Sequence, residues 1–245
     1  MIKLNFKNYK EKYLFYIAFI FLFMFIYNSF TLSIFSTPAR LFWFCNLALL
    51  FIATSIFIKS PSMLLSFISL SFILQGIWIS DILSLTFFNK NIFGTSYYLF
   101  LPQYGNIFEI FATAVHFFMI PLEIFAFILM KKLPKKFSKV IFSIFLFGLS
   151  ILGVSLIFGP ERNINYVYSI PFHLWFNISD NLIFFLSYLS FLTISSSLIG
   201  LVIYFIFKKY KKLFNLKYLK LYFWIILGFC FLLTIKVIFF ILKTR

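Results

Sequence analysis

Residues Met63 to Phe88 read MLLSFISLSFILQGIWISDILSLTFF, a run in which Asp81 is the single charged side chain. At 1.5 Å per residue, a helix of this length exceeds the roughly 30 Å hydrocarbon core of a bilayer. The run is apolar throughout and shows no alternation of period two, which excludes an outer-membrane barrel strand. Six further runs share its character: Tyr13–Phe35, Leu41–Ile58, Ile107–Met130, Val140–Phe158, Leu182–Phe207 and Leu221–Leu242. Ser60-Pro61 and Gly159-Pro160 punctuate them, because a residue before proline is steered out of the helical region. The sequence therefore predicts an all-α, polytopic membrane bundle of seven transmembrane helices, with residues 1–245 as a single integral membrane domain.

Composition supports the same class. Of the 245 residues, 63% are hydrophobic, 11% are charged and 42 are phenylalanine, with a mean hydropathy of +1.03. A soluble enzyme, a coiled coil and a disordered tail are excluded on these values. The first apolar run follows Lys3, Lys7, Lys10 and Lys12, yet it is longer than a signal-peptide core and ends in a poor cleavage site at Thr37-Pro38-Ala39, so a retained helix is expected. Two cysteines, Cys45 and Cys230, lie inside apolar runs and suggest no disulfide framework.

The net charge of +16 would point to nucleic acid in a soluble domain. Here the cations sit in short joints between apolar runs, where they set orientation, and no basic extramembrane domain exists to bind nucleic acid. With the N-terminus cytoplasmic, that side holds 16 cations, clustered at Lys131–Lys139 and Lys208–Lys220, against five on the other. The positive-inside rule thus predicts N-terminus in and C-terminus out. Besides the lipid bilayer itself, the expected partner is anionic lipid along Lys208–Lys220, where lysines alternate with Tyr210, Leu213, Phe214, Leu216, Tyr218 and Leu219. The two longest connections, Asn89–Asn106 and Gly159–Asn181, fall outside and are rich enough in aromatic residues to fold over the bundle as caps.

An ionisable side chain in hydrocarbon is expensive, so each one requires a partner, a cavity or a role. Asp81, Glu109, His116, Glu123 and Lys236 are the candidates. Asp81 lies near the outer end of its run, His116 about 15 Å deep and Lys236 about 9 Å deep, with Asn46 at a similar level on the second run. Glu123, close to Pro121, belongs to the inner half. Two expectations follow. One is a set of structural contacts, for instance Asp81 with Lys236 or Arg40. The other is an outward-facing polar pocket in which His116 exchanges protons and Asp81 sets its charge, walled by Trp43, Trp78 and Trp175 with His173 above. The ligand-binding candidates are Asn46, Trp78, Asp81, His116, Asn165 and Lys236. No catalytic or cofactor motif occurs, so no cofactor and no metal are expected. A retinal Schiff base at Lys236 is disfavoured, since no carboxylate lies near it on its own helix.

The string Pro38-Ala39-Arg40-Leu41-Phe42-Trp43-Phe44-Cys45-Asn46-Leu47-Ala48-Leu49-Leu50, with Ser60-Pro61, Trp78, Asp81, Gly94 to Phe100, His116, Pro121 and Asn163-Ile164-Asn165, resembles a group of bacterial multi-helix membrane-associated proteins of unassigned function. The resemblance spans roughly residues 38 to 167. It implies a bacterial membrane location and an outer-facing Asn, Asp, His set, and brings no activity. Three functions stay open: binding or passing a small solute or lipid headgroup, an outer-leaflet lipid-modifying enzyme with His116 as general base, and a structural or accessory subunit.

Overall fold

The computed structural model describes residues 9–35, 43–90, 92–93, 107–158, 181–210 and 216–243, with the side chains of 35, 107–114, 155, 156, 158, 181–185, 216–220 and 222 left aside. All described elements are helices: α1 Tyr9–Phe35, α2 Phe44–Phe57, α3 Pro61–Phe88, α4 Ile107–Met130, α5 Ser138–Phe158, α6 Asn181–Tyr210 and α7 Leu216–Lys243. Four of them, α1, α3, α6 and α7, contain stretches long and apolar enough to cross a membrane. The α2 helix is shorter than the apolar run that predicts it. Its 14 residues make about 21 Å of helix, less than a hydrocarbon core.

Local chemistry explains the boundaries. Ser60 caps α3, its hydroxyl accepting from the Met63 N–H at 3.4 Å, and Pro61 occupies the first turn, where a missing N–H costs nothing. At its other end α3 stops in Asn89, whose φ of 53° is left-handed, a conformation asparagine tolerates better than most residues. Lys59 and Lys131 adopt the same region just beyond α2 and α4. Serine and threonine are frequent within these helices because their hydroxyls bond back to the preceding turn, as Ser69 does to the Leu65 carbonyl and Thr234 to the Cys230 carbonyl.

Central in the bundle, α3 packs against α2, α4, α5, α6 and α7, while α1 covers α2 and α4. The basic helix ends converge. Lys59 pairs with Glu11 at 2.8 Å, joining the α2–α3 turn to the start of α1, and Lys10 stands beside Lys131 past the end of α4. The Ser66 hydroxyl donates to the Val140 carbonyl at 3.1 Å, which ties the first turns of α3 and α5 together. Phe125 of α4 stacks on Phe223 of α7 at 3.8 Å, and Phe127 meets Phe207 of α6. Consecutive described helices therefore run in opposite directions.

The main core contains Phe21, Leu49, Ile52, Leu65, Phe67, Met119 and Phe127, all deeply buried. A smaller cluster of Trp78, Ile82, Phe117, Cys230, Val237 and Ile241 fills the far end between α3, α4 and α7. The outer surface is apolar as well: α7 alone exposes Trp224, Phe229, Phe231, Leu232 and Phe239. A helix apolar on all sides is buried in protein or lipid. Small residues permit the closest approaches, Gly200 against Ser69 and Gly148 against Leu189.

Candidate functional site

The α3–α4 interface carries polar side chains at helical spacing. Seven residues return a side chain nearly to the same face of a helix. On α3 that interval relates Ser71 to Trp78, and on α4 it relates His116 to Glu123. The two antiparallel stripes meet. Trp78 lies against His116 with ring centroids 4.4 Å apart and planes tilted by 31°, and Ser71 donates its hydroxyl to Glu123 Oε1 at 2.8 Å. Gln75, 2% exposed, occupies the α3 turn between these contacts.

At the contact farther from the basic helix ends, His116 and Trp78 are both buried. Among the described residues the Trp78 indole N–H, Nε1, has no hydrogen-bond partner. Buried tryptophan N–H groups ordinarily find one, so this donor is open to an acceptor from elsewhere. Asp81 sits one turn beyond Trp78 and is fully buried. Its Oδ1 accepts from the backbone N–H groups of Ile92 and Phe93, at 3.1 and 2.8 Å, and so fastens the start of the connection after α3. Charge-assisted bonds of this kind are the stronger class.

Other candidates lie apart from this pair. Asn46 on α2 accepts from Asn28 Nδ2 of α1 at 2.9 Å, with both side chains buried. Lys236 is exposed on α7, and its Nζ stands 3.8 Å from the centroid of the Phe87 ring. That cation–π contact takes the place of the ion pair with Asp81. Trp43 precedes the first turn of α2. Asn165, His173 and Trp175, like Arg40, lie outside the described residues.

The sequence-derived site set omitted Asn28, Ser71, Gln75 and Glu123. Glu123 is fully buried; its Oε1 accepts from Ser71, while its Oε2 and Gln75 Oε1 have no partner among the described residues. The seven-residue intervals, read together on both helices, are the signal that points to Ser71 and Glu123; Asn28 and Gln75 lie outside that pattern. Within α4, Pro121 has no N–H to offer the Phe117 carbonyl. Among the described residues no group of His, Cys, Asp and Glu is placed to hold a metal ion, and Cys45 and Cys230 are not joined in a disulfide. Compared with protein-family models, curated proteins and solved structures, the chain returns no match.

Proposed function

We propose that the chain is a multi-pass protein of a bacterial cytoplasmic membrane, with seven spans, N-terminus in and C-terminus out, that binds or passes a small solute or lipid headgroup through a polar site on its outer half. The observation that carries this reading is the unpartnered Trp78 N–H beside the His116 ring. A buried donor next to a protonatable imidazole suits a ligand that brings an acceptor: a carboxylate, a phosphate or a carbonyl. Asp81 then holds the loop that borders the site. Bilayer lipid surrounds the apolar exterior, anionic lipid headgroups lie along Lys208–Lys220, and nucleic acid has no surface to engage.

The test uses the purified full-length protein and a panel of amino acids, sugar phosphates and lipid headgroups such as glycerol phosphate, read by thermal unfolding. A ligand at 100 times its Kd stabilises by about 2.7 kcal/mol. One class in the panel should raise the midpoint in the wild type and leave His116→Ala and Trp78→Phe unmoved. Should no compound shift the wild type while both variants only destabilise it, a structural subunit becomes the better description. The Asn28–Asn46 bond and the bonds from Asp81 to its loop favour that second reading, because in each the chain supplies both donor and acceptor.

A further inference from the structure

Glu123 lies two turns inward of His116 on the same face of α4, about 10 Å along the axis at 1.5 Å per residue. Its carboxyl group is fully buried and half satisfied: Ser71 donates to Oε1, and among the described residues Oε2 has no donor. Gln75 follows Ser71 by four residues, so it stands on the face of α3 that already holds Glu123. Its amide oxygen is the second buried acceptor without a donor. Two buried acceptors at one interface, neither given a hydrogen, are costly, and a proton on Glu123 would supply a donor for the other.

Among the described residues no fixed cation is placed beside Glu123 to serve instead. The charged residues of the helices packed on α4 lie towards the ends of the bundle. Lys10, Glu11 and Lys12 are in the first turn of α1, and Lys217 and Lys220 open α7. Asp81 is ten residues beyond Ser71, and Lys236 is thirteen beyond Phe223, the residue stacked on Phe125. The α2 helix has no charged residue, only the Cys45 thiol. Also titratable on these neighbours are Tyr13, Tyr16 and Tyr27 of α1 and Tyr218, Tyr222 and Cys230 of α7; Lys208 and Lys209 close α6 beyond Phe207, and Glu109 and His116 precede Glu123 at seven-residue intervals on α4 itself.

We infer that Glu123, Ser71 and Gln75 form a proton-binding site inside the bundle. Uptake makes an O–H bond on Glu123 Oε2 that donates to Gln75 Oε1. Release breaks that bond and returns the proton to the outer water along the His116 face, leaving a carboxylate held by Ser71. The site extends the outer one inward without depending on it.

Infrared difference spectroscopy of the full-length protein in phosphatidylethanolamine–phosphatidylglycerol vesicles, titrated with pH, tests this directly. A carbonyl stretch of a protonated carboxyl group should be present at neutral pH. It should be lost in Glu123→Gln, kept in Glu11→Gln, and shifted in Gln75→Leu, which removes the acceptor. Sodium at constant pH should leave it unchanged. Absence of any Glu123-dependent band, or its abolition by sodium, overturns the inference, the latter in favour of a cation site. Where Glu123→Gln fails to assemble, the Gln75→Leu spectrum decides: an unmoved band overturns the inference. A band without any ligand-induced thermal shift would retain the proton site and reject the outer-site function; the converse result would do the opposite.

Discussion

At the scale of the single residue, the buried polar groups divide into those that satisfy one another and those left open. The bond from Asn28 Nδ2 to Asn46 Oδ1 is of the first kind, while Asn28 Oδ1 is itself left open among the described residues. Removing one partner should cost more than the bond is worth, because the other amide is then stranded: about 1–3 kcal/mol for the orphan, against about 0.6 kcal/mol for a mean interhelical polar contact. Asn46→Ala is therefore expected to lower thermal stability in detergent by about 1 kcal/mol or more, and Asn28→Leu with Asn46→Leu to cost less than the sum of the single changes. Strict additivity would show that the pair carries no coupling. The sequence revealed that Asn46, Asp81, His116 and Lys236 needed explanation, since each is improbable in an apolar run. It did not reveal their partners. Asp81 is matched to the backbone at Ile92 and Phe93, and Lys236 to the face of Phe87, because pairing depends on how each helix is rotated about its axis. Composition is blind to that rotation.

At the scale of the element, apolar runs and their punctuation located the helices, and Ser60-Pro61 marks the start of α3 in both sequence and structure. Lengths were less legible. Arg40 and Leu41 flank a run that reads as a full span, whereas α2 starts at Phe44 behind Trp43. Close packing was not legible at all, since a glycine in a helix serves either as a contact point or as a gap. Structure separates the two. A Cβ added to Gly200 would lie 2.6 Å from Ser69 Oγ, whereas one on Gly153 or Gly228 meets nothing within 4 Å. The Ser69 hydroxyl is engaged with the Leu65 carbonyl and cannot swing away without losing that bond. Gly200→Ala should thus destabilise by about 1–3 kcal/mol through overpacking. Gly153→Ala and Gly228→Ala should be neutral or stabilising by up to about 1 kcal/mol, since glycine is a poor helix former. Ser69→Ala in the Gly200→Ala background should recover most of the loss. Unfolding midpoints of the five proteins provide the comparison, and equal effects at all three glycines would show that α3 and α6 do not rely on this approach.

At the scale of the whole molecule, orientation turns on whether α2 crosses the membrane. Its length of 14 residues argues for a shallow hairpin, which would leave six crossings and both termini on one side. Its contacts argue otherwise. Near its start Asn46 bonds Asn28, and just past its end Lys59 pairs with Glu11, so α2 together with its turn runs beside α1 from residue 28 back to residue 11. That stretch of α1 covers about 25 Å, close to a hydrocarbon core. A crossing by α2 keeps Lys10, Lys12, Lys59, Lys131 and the last-turn pair Lys208 and Lys209 at one end of the bundle. The positive-inside rule assigns that end to the cytoplasm. The expected outcome is that a reporter fused after Arg245 reads outside and one inserted within Lys131–Lys139 reads inside. In a Cys45→Ser, Cys230→Ala background, a cysteine at Arg40 should react in intact cells with a membrane-impermeant thiol reagent, and a cysteine at Lys59 should react only after permeabilisation. If both positions label from outside, α2 is a hairpin in the outer half; α1, by crossing, would carry Glu11 to the opposite side and break its pair with Lys59, and the even helix count would reverse every later connection.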